Sequence, residues 1–150
     1  MAALLRDDLL YWANTGDSRI YLLAGTELQQ LSSDHSWVAE RVRAGQLTAA
    51  EAWKHPRRNL ITRSIGFEPV SAPDTGGPVA VPEGATVLLC SDGLHGEVGD
   101  SITAGTATGA DVEVAAAALV ALANEAGGRD NISVVLARRS NSKTPPAPGY

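Results

Sequence analysis

Ala85-Thr86-Val87-Leu88-Leu89-Cys90-Ser91-Asp92-Gly93-Leu94 is the stretch on which the fold turns. Pro82-Glu83-Gly84 precedes a short apolar run, and Ser91-Asp92-Gly93 breaks it, so Ala85 to Cys90 reads as a buried strand. Asp92 follows that strand directly, which places its carboxylate at a sheet edge, aimed into a cleft. Upstream, Leu9 to Ala13 and Ile20 to Leu23 are two further strand-like runs around Thr15-Gly16-Asp17, the pattern of a β-hairpin. Leu28 to Leu31 adds a third strand and implies an antiparallel meander.

Between these strands and the Ala85 run lies a helical insertion. Ser32-Ser33-Asp34-His35-Ser36 is rich in helix-capping residues and leads into Trp37 to Val42, where Val38 and Val42 share a face. Gly45 ends that helix, and Thr48-Ala49-Ala50-Glu51 carries the capping-box pattern for a second, stopped at Pro56. The segment from Phe67 to Pro82 is rich in Pro and Gly and reads as loop, with at most one short strand over Val79 to Val81. Downstream, Asp111 caps a helix reaching about Ala126, with Ala115, Ala118, Leu119 and Leu122 on one stripe. Gly127-Gly128 closes it, and Ile132 to Ala137 forms a last strand. Residues 140–150 hold three Pro and no core pattern, which predicts a disordered tail after a domain over 1–139.

Composition narrows the function. Seventeen acidic against twelve basic residues give a net charge of -5, and Trp12, Trp37 and Trp53 have no basic stripe between them. That disfavours nucleic acid and an anionic membrane surface as partners. The longest uncharged apolar run, Val114 to Ala123, is far short of the roughly 18 residues of a membrane span. Cys90 is the single cysteine and sits among apolar neighbours, so it reads as a small buried hydrophobe in a reducing, cytoplasmic protein.

Asp17, Asp92 and Asp130 each stand where a strand breaks into a turn, beside Gly or a small polar residue. Carboxylates converging on one cleft repel by about 4 kcal/mol per pair at 4 Å and an effective dielectric near 20. A divalent cation removes that cost, and hard oxygen donors favour Mg²⁺ or Mn²⁺ over zinc. Asp in a turn also mimics backbone hydrogen bonding without any metal. These residues by themselves therefore leave an acidic metal cleft and ordinary turn chemistry both open. His35, His55 and His95 have no metal-ligand spacing and read as surface or loop residues, and Arg57-Arg58 reads as a solvated basic pair.

The wording around the three Asp goes further. Gly16-Asp17-Ser18-Arg19 resembles the "GDSR" segment of type-2C (PPM) metal-dependent serine/threonine phosphatases. Leu31 to Ser36 resembles their "LTxDHS", and Leu60 to Gly66 their "LTRALG". Leu88 to Leu94 matches "LLCSDGL", and Gly128 to Val135 fits "GxxDNxTVVV". Five motifs in the family's order cover roughly Leu9 to Arg138, and the helical insertion is most similar to that of the bacterial form.

The resemblance implies an α+β fold, a partial α-β-β-α sandwich of antiparallel sheets flanked by helices, with a flap over about 36–56. It implies a binuclear Mg²⁺ or Mn²⁺ centre held through Asp92 and Asp130, with Asp17 on a third, weaker metal. A metal-bridging water would attack phosphoserine or phosphothreonine without a phosphoenzyme. The family's phosphate-binding basic residue and its Asp-Gly-x-Gly-Gly loop have no counterpart here, and His95-Gly96 stands where a further Asp is usual. The expectation is therefore an incomplete site, inactive alone, with phosphoprotein substrates or a complementing N-terminal segment as partners. Exposed sheet surface would favour self-association. The alternative is a non-catalytic binding or regulatory module that has kept the fold.

Overall fold

The computed structural model describes residues 1–66 and 72–140. Its strands are β1 (Ala2–Arg6), β2 (Leu9–Asn14), β3 (Arg19–Ala24), β4 (Glu27–Gln30), β5 (Asp74–Ala80), β6 (Thr86–Cys90) and β7 (Val134–Arg138). Its helices are α1 (Trp37–Arg43), α2 (Ala49–Lys54), α3 (Asp92–His95), α4 (Asp100–Ala107) and α5 (Val112–Glu125). One sheet runs β1-β2-β5 and the other β4-β3-β6-β7, and every pairing is antiparallel. The mixed α+β architecture expected from the sequence is the one observed.

The continuous apolar runs of β3 and β6 are explained by their position at the centre of the second sheet, buried on both faces. Ile20, Leu22 and Val87 face the first sheet, packing with Leu10 and Val81. Tyr21, Leu88 and Cys90 face the other way, onto Leu94, Leu119 and Ala123 of α3 and α5. Registry keeps like with like: Leu22 pairs with Val87 and Tyr21 with Leu88. Burying each such side chain contributes roughly 1.5–3 kcal/mol. α4 closes a smaller cluster over Leu23 through Ala104 and Ala107.

Two expectations are corrected by the fold, and two elements are new. β2 and β3 are not a hairpin: they belong to different sheets, and Thr15 to Ser18 carries the chain from one to the other. Each strand owns a face of the inter-sheet core, Leu10 and Trp12 from one and Ile20 and Leu22 from the other. Lying side by side, they could not pack those faces together. The Pro/Gly segment holds a full seven-residue strand, β5, where only Val79 to Val81 had been expected. It is paired to β2 alone, an edge position where proline's missing N–H costs no ladder bond. A Cβ on Gly76 would lie 2.4 Å from the Trp12 indole, so glycine there makes room for the ring. β1 and α4 had no counterpart in the sequence reading. β1 is exposed along its whole length and α4 is built largely of small residues, so neither leaves a strong apolar period.

The helical insertion forms as its caps dictate. Ser36 caps α1, its Oγ accepting from Ala39 N–H (3.3 Å). Thr48 and Glu51 form the reciprocal capping box on α2. Arg41 and Arg57 both lie over the Trp37 ring, their guanidinium carbons 5.0 and 5.4 Å from its centroid, with the His55 ring 4.9 Å away. Arg57 is thus stacked on an aromatic face rather than simply solvated. The tail expected over 140–150 lies, apart from Ser140, outside the described residues. Among the described residues no helix is long and apolar enough to cross a membrane.

Candidate metal centre

Ser91, Asp92 and Gly93 do three separate jobs where β6 ends. Ser91 N–H donates to Ser133 O (3.0 Å), while its Oγ donates to Asn131 O (2.9 Å) and accepts from Ser133 N–H (3.0 Å). These bonds stitch the end of β6 to the loop that leads into β7. Gly93 lets that loop come close: a Cβ there would stand 2.4 Å from Asn131 O. Asp92 begins the single turn of α3, and Asp130 sits on the stitched loop, its Oδ1 accepting from Asn131 N–H (2.7 Å). Asp17 arrives from the other side on the crossover between the sheets.

Asp17, Asp92 and Asp130 line one cavity of about 910 Å³, walled on the far side by α1 and α2 through Val38, Val42 and Trp53. Burial, then the charge of Asp92, pushes the Asp17 carboxyl above its usual pKa. Asp17 and Asp92 thus stand close enough to feel each other's charge, in a cavity that Arg19, Arg43, Arg58 and Arg129 also border. The donor set is hard oxygen, and its mutual repulsion is what a divalent cation relieves, so the chemistry fits Mg²⁺ or Mn²⁺. Among the described residues, however, no three His, Cys, Asp or Glu side chains converge closely enough to hold an ion. The carboxylates border a common space as a partial ligand set.

Beneath the cavity Arg19 grips Asp34. Its Nε donates to Oδ1 (3.0 Å) and Nη2 to Oδ2 (2.7 Å), while Nη1 donates to the Tyr21 hydroxyl (3.0 Å). Gln30 Nε2 also donates to Asp34 Oδ1 (2.9 Å). Burial works against the Arg19 charge, but its bonds to Asp34 outweigh that and leave its pKa above the ordinary value. The pair ties the start of β3 to the entrance of α1. Both residues lay inside quoted motifs, but nothing in the spacing said that they meet.

The histidines depart from expectation. His95 is buried in α3, and its Nε2–H donates to Asp17 O (2.9 Å). Burial, then Arg19, holds its pKa down, which suits a neutral donor. His35 is also buried and bonds to Gly16 and Asp74. Neither is a surface residue, although His35 does stand in the loop before α1: each satisfies polar backbone atoms that the sheet crossover would leave orphaned. His55 is half-buried against Trp37. Arg58 is not a solvated cation either: Nη1 donates to Gly96 O (3.0 Å) and Nη2 lies 3.7 Å from Glu97. Cys90 is fully buried with its thiol pushed up to about 12 by burial, so it behaves as the expected hydrophobe.

The sequence profile of the family Protein phosphatase 2C matches residues 1–132. The chain belongs to that family. Protein phosphatase PhpP of Streptococcus pneumoniae is 46% identical over 132 residues, covering 87% of this chain and 53% of that protein. Serine/threonine phosphatase stp of Listeria monocytogenes is 38% identical over 143 residues, covering 93% of this chain and 55% of its own length. Among solved structures, the serine/threonine phosphatase PstP/Ppp of Mycobacterium tuberculosis superposes with a TM-score of 0.85 at 35% identity. It covers 93% of this chain and 58% of that one. The catalytic domain of PstP in complex with two manganese ions gives 0.82 at 33% identity, covering 93% and 57%. The chain therefore spans about half the length of the curated relatives it matches.

Proposed function

We propose that this phosphatase 2C chain carries part of a metal-dependent protein serine/threonine phosphatase site. In this reading Asp92 and Asp130 hold a divalent cation, Mg²⁺ or Mn²⁺, and Asp17 serves a further, weaker position. The observation that carries it is the lining of one cavity by all three carboxylates, with Asp17 sensing the charge of Asp92. The metal, when bound, supplies an activated water for attack on phosphoserine or phosphothreonine phosphorus.

The chain's own residues position and shape. Ser91 and Gly93 bring the Asp92 turn against the Asp130 loop, and His95 holds the Asp17 carbonyl. The α1–α2 wall confines the substrate, and Arg129, 68% exposed at its side chain with Nη1 3.5 Å from Glu97, stands at the cavity where its outer face can meet phosphate charge. Cys90 takes no nucleophilic part, being buried with a raised thiol pKa. Because three ligands do not converge among the described residues, the 150-residue chain by itself binds metal weakly and turns over little, if at all. The same observation favours the second reading, a binding module without chemistry.

Calorimetric titration of Mn²⁺ into the wild type, Asp92→Asn and Asp130→Ala, paired with phosphopeptide turnover, separates these. Weak binding that both substitutions abolish supports the metal site, and binding indifferent to Asp92 and Asp130 overturns it. Turnover abolished by Asp92→Asn supports an enzyme; metal binding with no turnover supports the module. The exposed β1, with Leu4 62% accessible, supports self-association or a complementing segment along that edge, measurable by light scattering.

A further inference from the structure

Gly16 carries Asp17 into the cavity at φ +104°, a conformation that glycine adopts freely and that no side chain of its own restrains. Its position must be imposed from outside. Gly16 N–H donates to His35 Nδ1 (3.0 Å), His35 N–H donates back to Gly16 O (3.0 Å), and Asn14 Nδ2 donates to the same oxygen (3.3 Å). A ring whose Nδ1 accepts carries its proton on Nε2, and Nε2–H donates to Asp74 Oδ2 at the start of β5 (3.0 Å). Arg63 Nη1 lies against both groups, donating to Asp74 Oδ1 (2.8 Å) and standing 2.8 Å from His35 Nε2. Bonds from Arg63 and then His35 hold the Asp74 carboxyl below the usual range, so it is an acceptor, and the Gly16 N–H at Nδ1 sets the tautomer. On the flap side His35 O accepts from Thr62 N–H (2.9 Å), and Ser36 bridges Ile61. With 2% of its surface exposed, His35 has little access to water that could replace these partners.

We propose that His35 is a positioning residue: with its ring as a fixed Nε2–H tautomer and its backbone N–H on Gly16 O, it clamps Gly16, and so the start of Asp17, to β5 and the base of the flap. It touches neither metal nor substrate and acts through Gly16 on the placement of the Asp17 carboxylate. The inference rests on the reading of Asp17 as a metal ligand only for its consequence, since the clamp itself is backbone geometry. A buried histidine serving stability alone would leave the local order at Gly16 unaffected by which ring nitrogen is mimicked.

The test uses the ¹⁵N-labelled 150-residue chain and Mn²⁺ as the probe. Ring ¹⁵N shifts of the wild type should show His35 as the Nε2–H tautomer, coupled through Nδ1 to the Gly16 amide. In His35→Asn the amide oxygen replaces Nδ1, and Gly16 hydrogen exchange should stay near wild type. In His35→Gln the amide nitrogen replaces Nε2–H and Nδ1 is left without a mimic, so exchange at Gly16 should rise about tenfold, the factor for one lost buried hydrogen bond. The loss of Mn²⁺ affinity caused by Asp17→Asn should persist in the His35→Asn background and vanish in His35→Gln. An Nδ1–H tautomer, or equal Gly16 exchange in the Asn and Gln variants, overturns the clamp. The two readings fail separately, because a wild type that binds no Mn²⁺ sinks the metal reading while Gly16 exchange still judges the clamp.

Discussion

Asp34→Ala removes the acceptor shared by Arg19 Nε, Arg19 Nη2 and Gln30 Nε2. The cost depends on whether this ion pair behaves as exposed or buried. An exposed pair is worth about 0–1 kcal/mol, whereas removing one partner of a buried pair costs roughly 3–5 kcal/mol. The side chains here are 20% and 10% exposed, which places the pair near the buried limit. Arg19 keeps its bond to Tyr21 and a little contact with water, so the low end applies, about 3 kcal/mol. For a chain of this size that lowers Tm by roughly 6–12 °C. The assay is thermal and urea unfolding of wild type, Asp34→Ala, Arg19→Met and the double variant. The double variant should cost less than the sum of the singles, with a coupling of about 2 kcal/mol, because neither charge is then stranded. A loss under about 1 kcal/mol for Asp34→Ala, or strict additivity, would refute the view that this pair is buried and structurally coupled.

Three further outcomes follow from the geometry. Gly93→Ala should destabilise the chain by about 1–3 kcal/mol and weaken Mn²⁺ binding, because its Cβ would displace Asn131; unchanged melting and affinity would contradict the close approach. Asp17→Asn should stabilise the metal-free chain near neutral pH. The folded Asp17 pKa lies above the ordinary 3.8, so its contribution is intact below that pH and is lost as pH rises through the raised value. The stability difference from wild type should therefore close in acid, and melts across the acidic range check its sign. Thr48→Ala should cost about 1 kcal/mol through the lost α2 cap, seen as faster hydrogen exchange at Glu51 N–H, which Thr48 Oγ1 accepts in the folded chain.

Much of the fold was legible because its signals are local. The apolar run ending at Cys90, the capping residues Ser36, Thr48 and Asp111, and the stripe on α5 all act within a few residues of themselves. Each element formed where those residues placed it. The ordered motifs around Asp17, Asp92 and Asp130 likewise named the family and the three carboxylates that border one cavity. What the sequence could not decide is pairing at a distance. Whether β2 and β3 lie side by side or face to face depends on which faces the rest of the chain buries, and no local pattern carries that choice. β5 exists as a strand because β2 offers it an edge, despite its Gly and Pro. Arg19 with Asp34, and His35 with Gly16 and Asp74, are residues 15 to 39 positions apart whose polar atoms are satisfied only once the sheets have stacked. Burial then turns ordinary turn and loop residues into bonded ones, because a polar atom cut off from water must find its partner within the protein.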